Sequence, residues 1–261
     1  VGGDSYINTG QWPENIVINE GELACEAAIE VMPGFNPLRV YASHDDINRE
    51  TVNKAFNQGA GFAYFCGHGS AASWGTHFEP ANSSNWVTGY VLQDMTHLKN
   101  REKQPITIVG GCHNGQFDVT MWNIILGVQE DGLQYFNWRR GKVGRFWYNE
   151  WVPNCWAWWL TSKSKGGAIA TIANTGLGTH GDGDQNKNGI VDYLEVLDGF
   201  LELRFLELYG VENNEILGLN HGQAITDYLN VFLNDDAKMD VKMVQQWQLF
   251  GDPSLKIGGY N

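Results

Sequence analysis

Short runs rich in β-branched and aromatic residues, ending in glycine or other small residues, alternate along the chain with longer stretches whose apolar positions recur at helical spacing. Residues 38–41, 61–65, 106–109 and 168–172 are the predicted strands, and their unbroken apolar character predicts burial on both faces and parallel pairing. Residues 21–31, 47–57, 119–126, 193–207 and 222–233 are the predicted helices. Strands alternating with helices predict a doubly wound α/β sheet, mostly parallel, with helices on both faces. Residues 70–100, rich in Trp, Ser, Asn and Gly, are predicted to form a long connection over one edge of that sheet, where binding loops usually lie. No internal repeat or linker interrupts the pattern, so residues 1–261 are read as a single domain.

Composition narrows the class. At 261 residues the chain is near the upper limit for one core, and 43% hydrophobic residues with eleven tryptophans provide ample interior and exclude disorder. A formal charge of −13 without Lys/Arg clusters excludes a phosphate-backbone partner and favours a cationic or neutral ligand. No stretch reaches the roughly 18 consecutive apolar residues of a membrane-spanning helix. Cys25, Cys66, Cys112 and Cys155 are too few and too scattered for a disulfide scaffold. The chain opens on Val1-Gly-Gly-Asp4 without Met and is read as a piece of a longer precursor, whose cleaved N-terminal part is an expected partner.

Two strand ends carry the candidate chemistry. Gly61-Phe-Ala-Tyr-Phe-Cys-Gly-His-Gly-Ser70 runs a strand into a glycine-flanked histidine, and Ile106-Thr-Ile-Val-Gly-Gly-Cys-His-Asn-Gly115 runs a second into a glycine-flanked cysteine. The stretch from Ser70 to Thr107 far exceeds the dozen or so residues that a right-handed crossover needs, so the strands are free to be parallel neighbours, about 4.8 Å apart. His68 and Cys112 then emerge at the same carboxyl edge, where open α/β sheets place their active sites. In that arrangement the imidazole activates the thiol, and the amides of Gly69 and Cys112 are candidates for an oxyanion hole. His113 is a poor base, because in an extended segment it points away from its neighbour Cys112. Two other readings stand beside this one: Cys66 and Cys112 as buried core thiols, and a zinc site built from Cys66, His68, Cys112 and His113.

A second motif suits a hard cation. In 184–195, oxygen donors stand at loop positions one, three, five, nine and twelve (Asp184, Asn186, Asn188, Asp192, Glu195), with Gly189 at six and the Ile190 carbonyl at seven. That order is an EF-hand-like loop and predicts one structural Ca²⁺. The competing reading is a turn that caps the helix beginning near Tyr193. No motif for an organic cofactor is present.

At these residues the chain resembles the gingipain-type cysteine peptidases of the caspase-like clan. Gly67-His68-Gly69-Ser70 followed by Trp74, then Cys112-His-Asn-Gly-Gln-Phe117-Asp118, then Phe250-Gly-Asp-Pro-Ser-Leu255 stand in the family's order, and Leu98-Lys-Asn100 fits ahead of the cysteine strand. The resemblance implies a caspase-like three-layer α/β/α sandwich and a secreted endopeptidase working through a Cys112–His68 dyad and a thioester. It also implies a preference for basic side chains and a peptide or protein substrate. The family has further elements ahead of the segment like Val1–Asp4, which supply an acid for the histidine and part of the specificity pocket. Asp4, Glu20 and Asp45 are the candidates for that acid here. Two rival functions are an adhesive module using Trp74, Trp86, Trp156, Trp158 and Trp159, and a transpeptidase using the same dyad.

Overall fold

The computed structural model describes residues 1–3, 19–44, 46–77, 86–139, 142–233 and 238–259. The elements run α1 (Glu20–Glu30), α2 (Arg49–Gln58), β1 (Phe62–Cys66), β2 (His68–Gly69), β3 (Ser73–His77), β4 (Trp86–Val91) and β5 (Ile106–Gly110). They continue with α3 (Asn123–Asp131), β6 (Trp138–Arg139), β7 (Lys142–Val143), α4 (Trp156–Thr161), β8 (Ala170–Asn174) and α5 (Asp192–Glu195). Last come α6 (Leu197–Gly210), α7 (Leu217–Phe232), α8 (Lys238–Gln246) and β9 (Trp247–Phe250).

The central sheet has the order β1-β5-β8-β9, parallel through β8 and closed by an antiparallel β9. Period-two alternation divides its side chains between two cores. Phe65, Val109 and Ala173 join α2, α4 and the β3–β4 hairpin in one apolar cluster containing Trp74, Tyr90 and Trp156. Ile106, Ile108, Ala170 and Ile172 face the other way, onto Leu201, Phe205, Leu217, Tyr228 and Trp247 from α6, α7 and the α8–β9 junction. This is the expected three-layer α/β/α arrangement. Among the described residues no helix is long and apolar enough to cross a membrane.

Several expectations need correction. Residues 38–41 make no strand; Tyr41 forms an isolated bridge with Gly2, because the two-residue Val1–Gly2 rung lies between this segment and β1. The 70–100 connection carries an antiparallel sheet, β2-β3-β4, in which Trp74, Gly75 and Thr76 are fully buried. The helix expected from 119 starts at Asn123, with Val119 placed in the core instead. The helix expected over 193–207 is two, broken at Val196 (φ −129°, ψ 162°), and Leu197 adopts a positive φ of 56° as α6 begins. The last predicted helix, α7, starts earlier than 222, at Leu217.

Candidate active site

β1 and β5 are parallel neighbours in the register Cys66↔Gly110, so both strands end at the same level. Beyond them the chain rises into two segments that touch. Gly67 N donates to Gly110 O at 2.9 Å, and a Cβ built on Gly111 would lie 3.2 Å from the His68 carbonyl carbon and 3.3 Å from Gly69 Cα. A Cβ on Gly69 would collide with Asn114 Oδ1 and with the Cys112 carbonyl, closer than the 3.0 Å that real Cβ atoms respect. Glycine at 69 and 111 is therefore a requirement for the His68 segment to lie across the Cys112 turn.

The residue that ties the two segments together went unnoticed in the sequence. Asn114, fully buried, donates through Nδ2 to both Ser70 O and Ser73 O at 3.0 Å, fastening the β2–β3 turn to the loop after β5. Its position two residues after Cys112 was the only available signal. His68 itself belongs to β2, opposite Gly75, and its ring meets the His77 ring edge-on at 5.5 Å. His113 does not lie in the extended segment expected: its backbone is left-handed at φ 57°, its amide donates to Gly176 O, and Nδ1 lies 3.0 Å from Gln116 Oε1.

Cys112 is half-buried, with Sγ 3.6 Å from Gly178 O. Burial pushes its thiol above the ordinary range, the Asp198 carboxylate adds to this, and His180 and Lys242 oppose it. The resting group is a neutral thiol, which needs a base to become a nucleophile.

The wall beside Cys112 is the loop after β8. Lys242 Nζ and Gln246 Nε2 from α8 both donate to Leu177 O, at 2.6 and 2.8 Å. Asp198, fully buried on α6, accepts from Asn174 Nδ2 at 2.9 Å and from Thr179 N at 2.8 Å. Burial raises its carboxyl to about 7, with His180 opposing that rise. Asp198→Ala strips the acceptor from two donors, and urea unfolding is expected to register a loss of about 2–4 kcal/mol. A loss under about 0.5 kcal/mol would show that the loop is held elsewhere. Because the folded carboxyl keeps its proton well above the unfolded value of about 3.9, its contribution to stability is complete below that value and declines as pH rises toward 7. Asp198→Asn is expected to flatten that decline.

Of the three candidate acids, Asp4 and Asp45 lie outside the described residues. Glu20 opens α1 with its Oε2 buried, and its neighbour Gly21 packs directly on the Cys66 carbonyl.

The zinc set Cys66, His68, Cys112 and His113 does not assemble. Cys66 is instead grouped with His180 and Glu202. Its Sγ lies 3.1 Å from Tyr193 Oη and 4.0 Å from His180 Nε2, so it is more than a packing residue. His180 and Glu202 were not anticipated. The signal in the sequence was Asp198 and Glu202, two carboxylates at i and i+4, on the same stripe of α6 as Leu201 and Phe205.

In the 184–195 loop the side chains of Asn186 and Asn188 converge on Glu195: Asn188 Nδ2 lies 2.8 and 3.0 Å from its two carboxylate oxygens, and Asn186 Nδ2 lies 3.2 Å from one of them. Asp184 accepts from the amides of Asn188 and Gly189, the latter at φ 88°. Asp192 is buried and accepts from Gln185 N at 3.0 Å; Ile190 N bonds back to Asn188 Oδ1. The loop's carboxylates thus each accept from protein N–H groups, and the amide nitrogens of Asn186 and Asn188 face Glu195; the residue types Asp, Asn and Glu are those that ligate a hard divalent cation.

The model of peptidase family C25 matches residues 4–258. None of the curated proteins compared matches the chain. Among solved structures, the complex of the pro- and mature domains of RgpB from Porphyromonas gingivalis is similar at TM-score 0.58 and 19% identity, covering 98% of this chain and 46% of that one. The Arg-specific cysteine proteinase gingipain R (RgpB) is similar at TM-score 0.58 and 16% identity, over 97% of this chain and 46% of that one. A third structure, of a protease, gives TM-score 0.51 at 14% identity, over 91% of this chain and 44% of that one. The chain thus spans less than half the length of the structures it resembles.

Proposed function

The chain belongs to peptidase family C25, and from that premise we propose that it is a cysteine endopeptidase in which Cys112 attacks the peptide carbonyl and His68 handles the protons. The observation that carries this reading is the packing of the His68–Gly69 backbone on the Gly111–Cys112 turn above two parallel strand ends. His68 takes the thiol proton as Sγ bonds to the carbonyl carbon, and amides of Gly69 and Cys112 receive the oxyanion. The C–N bond then breaks, His68 passes its proton to the departing amine, and a thioester remains. Water, deprotonated by His68, attacks the thioester and frees the carboxylic acid and Sγ. Of the candidate acids Asp4, Glu20 and Asp45, Glu20 lies within the described residues, at the start of α1 with its Oε2 buried.

The acidic chain favours basic residues on the substrate. A panel of fluorogenic peptides differing only in the residue before the cleaved bond tests the reading. Release after Arg or Lys exceeding release after Leu or Glu is expected. Absence of release from every peptide, with the 184–195 loop supplied with calcium and any cleaved N-terminal chain restored, would remove the peptidase reading; the adhesive reading is already weakened by Trp74 and Trp156, which are buried in the core rather than offered at a surface.

Calcium belongs to the same proposal. Asp184, Asn186, Asn188, the Ile190 carbonyl, Asp192 and Glu195 would hold it, and its work would be structural, fixing the start of α5 and with it the approach to α6. Chelation with EGTA is expected to lower the melting temperature, by about 2–4 °C for each 1 kcal/mol of binding energy withdrawn. The shift should vanish in Asp184→Ala, and an unchanged melting temperature in the wild type would remove the cation from this loop. A structural calcium also suits secretion, since calcium is plentiful outside the cell.

A further inference from the structure

We propose that Cys66, His180 and Glu202 form a buried structural site for a zinc-class divalent metal beneath the two strand ends. Cys66 Sγ lies 4.0 Å from His180 Nε2, His180 Nε2 lies 3.5 Å from Glu202 Oε2, and the three donor atoms are all within 4.8 Å of one another. A tetrahedral ion bound at about 2.0–2.3 Å requires donors about 3.3–3.8 Å apart, so the triangle needs only a small contraction. The site is interior: Cys66 and the Glu202 side chain are fully buried, and the His180 side chain is 8% exposed.

The surroundings resemble the outer shell of a metal centre. Tyr64 donates its hydroxyl to Glu202 Oε2, fixing the carboxylate, and the Tyr193 ring stacks on His180 with centroids 4.2 Å apart. The Tyr193 hydroxyl, 3.1 Å from Cys66 Sγ, is placed to offer a fourth donor atom. Glu202 Oε1 is buried and has no hydrogen-bond partner among the described residues.

The donor set selects the ion. One thiolate, one imidazole and one carboxylate suit Zn²⁺, whereas Ca²⁺ and Mg²⁺ take oxygen alone, which separates this site from the 184–195 loop. The charges balance, since the thiolate and the carboxylate together neutralise a divalent ion. Position supplies the purpose. Cys66 stands two residues before His68, and a Cβ on Gly110, two residues before Cys112, would meet Glu202 Oε1 at 2.7 Å. A metal here would clamp β1 and α6 to the loop carrying His180, forming a rigid floor under both segments. The inference is independent of whether Cys112 is a nucleophile.

The test uses the full chain produced with zinc supplied and then dialysed against EGTA. Elemental analysis is expected to show about one zinc per chain. X-ray absorption of that protein should show one sulfur at about 2.3 Å and lighter scatterers at about 2.0–2.1 Å. Refolding with Co²⁺ in place of zinc should give a thiolate-to-cobalt charge-transfer band that persists singly in Cys25→Ala, Cys112→Ala and Cys155→Ala and disappears in Cys66→Ala and Glu202→Gln. Should the last two fail to fold, the sulfur shell of the wild type and its survival in the other three variants still decide the matter. Protein that folds without retaining zinc, an oxygen-only shell, or a band lost with Cys112 would overturn the site and leave His180 and Glu202 as a buried ion pair.

Discussion

Cys112→Ala is expected to reduce kcat/KM for peptide hydrolysis by four orders of magnitude or more, on the scale seen when a covalent nucleophile is removed. No other group on the described face replaces it. Cys66, Cys25 and Cys155 are all buried, and burial pushes the Cys25 thiol up to about 12, far from a reactive state. His68→Ala should cost nearly as much, because burial keeps Cys112 protonated and the attacking thiolate depends on a base. The double variant should be little worse than either single one, since the two side chains act as a unit. Summed losses would mean that the thiol and the imidazole serve separate steps, and a wild-type rate in either single variant would place the chemistry elsewhere. Steady-state kinetics on a basic peptide, with folding of each variant checked by circular dichroism, gives the answer.

Gly69→Ala should lower kcat/KM by about 10²-fold or more without removing any reactive group. The added methyl has no space, since it would meet Asn114 Oδ1 and the Cys112 carbonyl inside the shortest distance that real Cβ atoms show. Either the β2 segment lifts away from Cys112 or the Asn114 bonds to Ser70 O and Ser73 O break. A shift of about 1 Å between reacting groups is enough for a loss of that size. Asn114→Ala should reproduce part of the defect by releasing the same contact from the other side. If Gly69→Ala retained full activity, the close packing of the two segments would be irrelevant to catalysis.

The chain's patterning made the framework legible because β5 and β8 are buried throughout and β1 at its carboxyl end, so that they read as continuous apolar runs. Parallel pairing of the Cys and His strands was predicted by their unbroken apolar character and permitted by the crossover length. The β2-β3-β4 sheet was hidden for the opposite reason: its strands are short and rich in Gly, Ser and Thr, and Trp74 and Tyr90 looked like loop aromatics until burial joined them to Phe65 and Trp156. Val196 divides α5 from α6 with a single extended residue, which periodicity cannot reveal in a stretch apolar on nearly every side. At the site, glycines and motif order pointed to His68 and Cys112. Asn114, Asp198, His180 and Glu202 left only faint signals because their partners lie far away in sequence; Glu202 is more than a hundred residues from Tyr64, yet the two share a hydrogen bond.

The central claim is that Cys112 is the nucleophile, and covalent capture tests it most directly. The folded protein is treated with a peptidyl acyloxymethyl ketone carrying Arg next to the warhead, then digested and mapped by mass spectrometry. The account predicts one adduct per chain, on Cys112, suppressed by excess basic peptide and formed much more slowly in His68→Ala. An adduct confined to Cys25, Cys66 or Cys155, or peptide hydrolysis that continues while Cys112 stays unmodified, would contradict it.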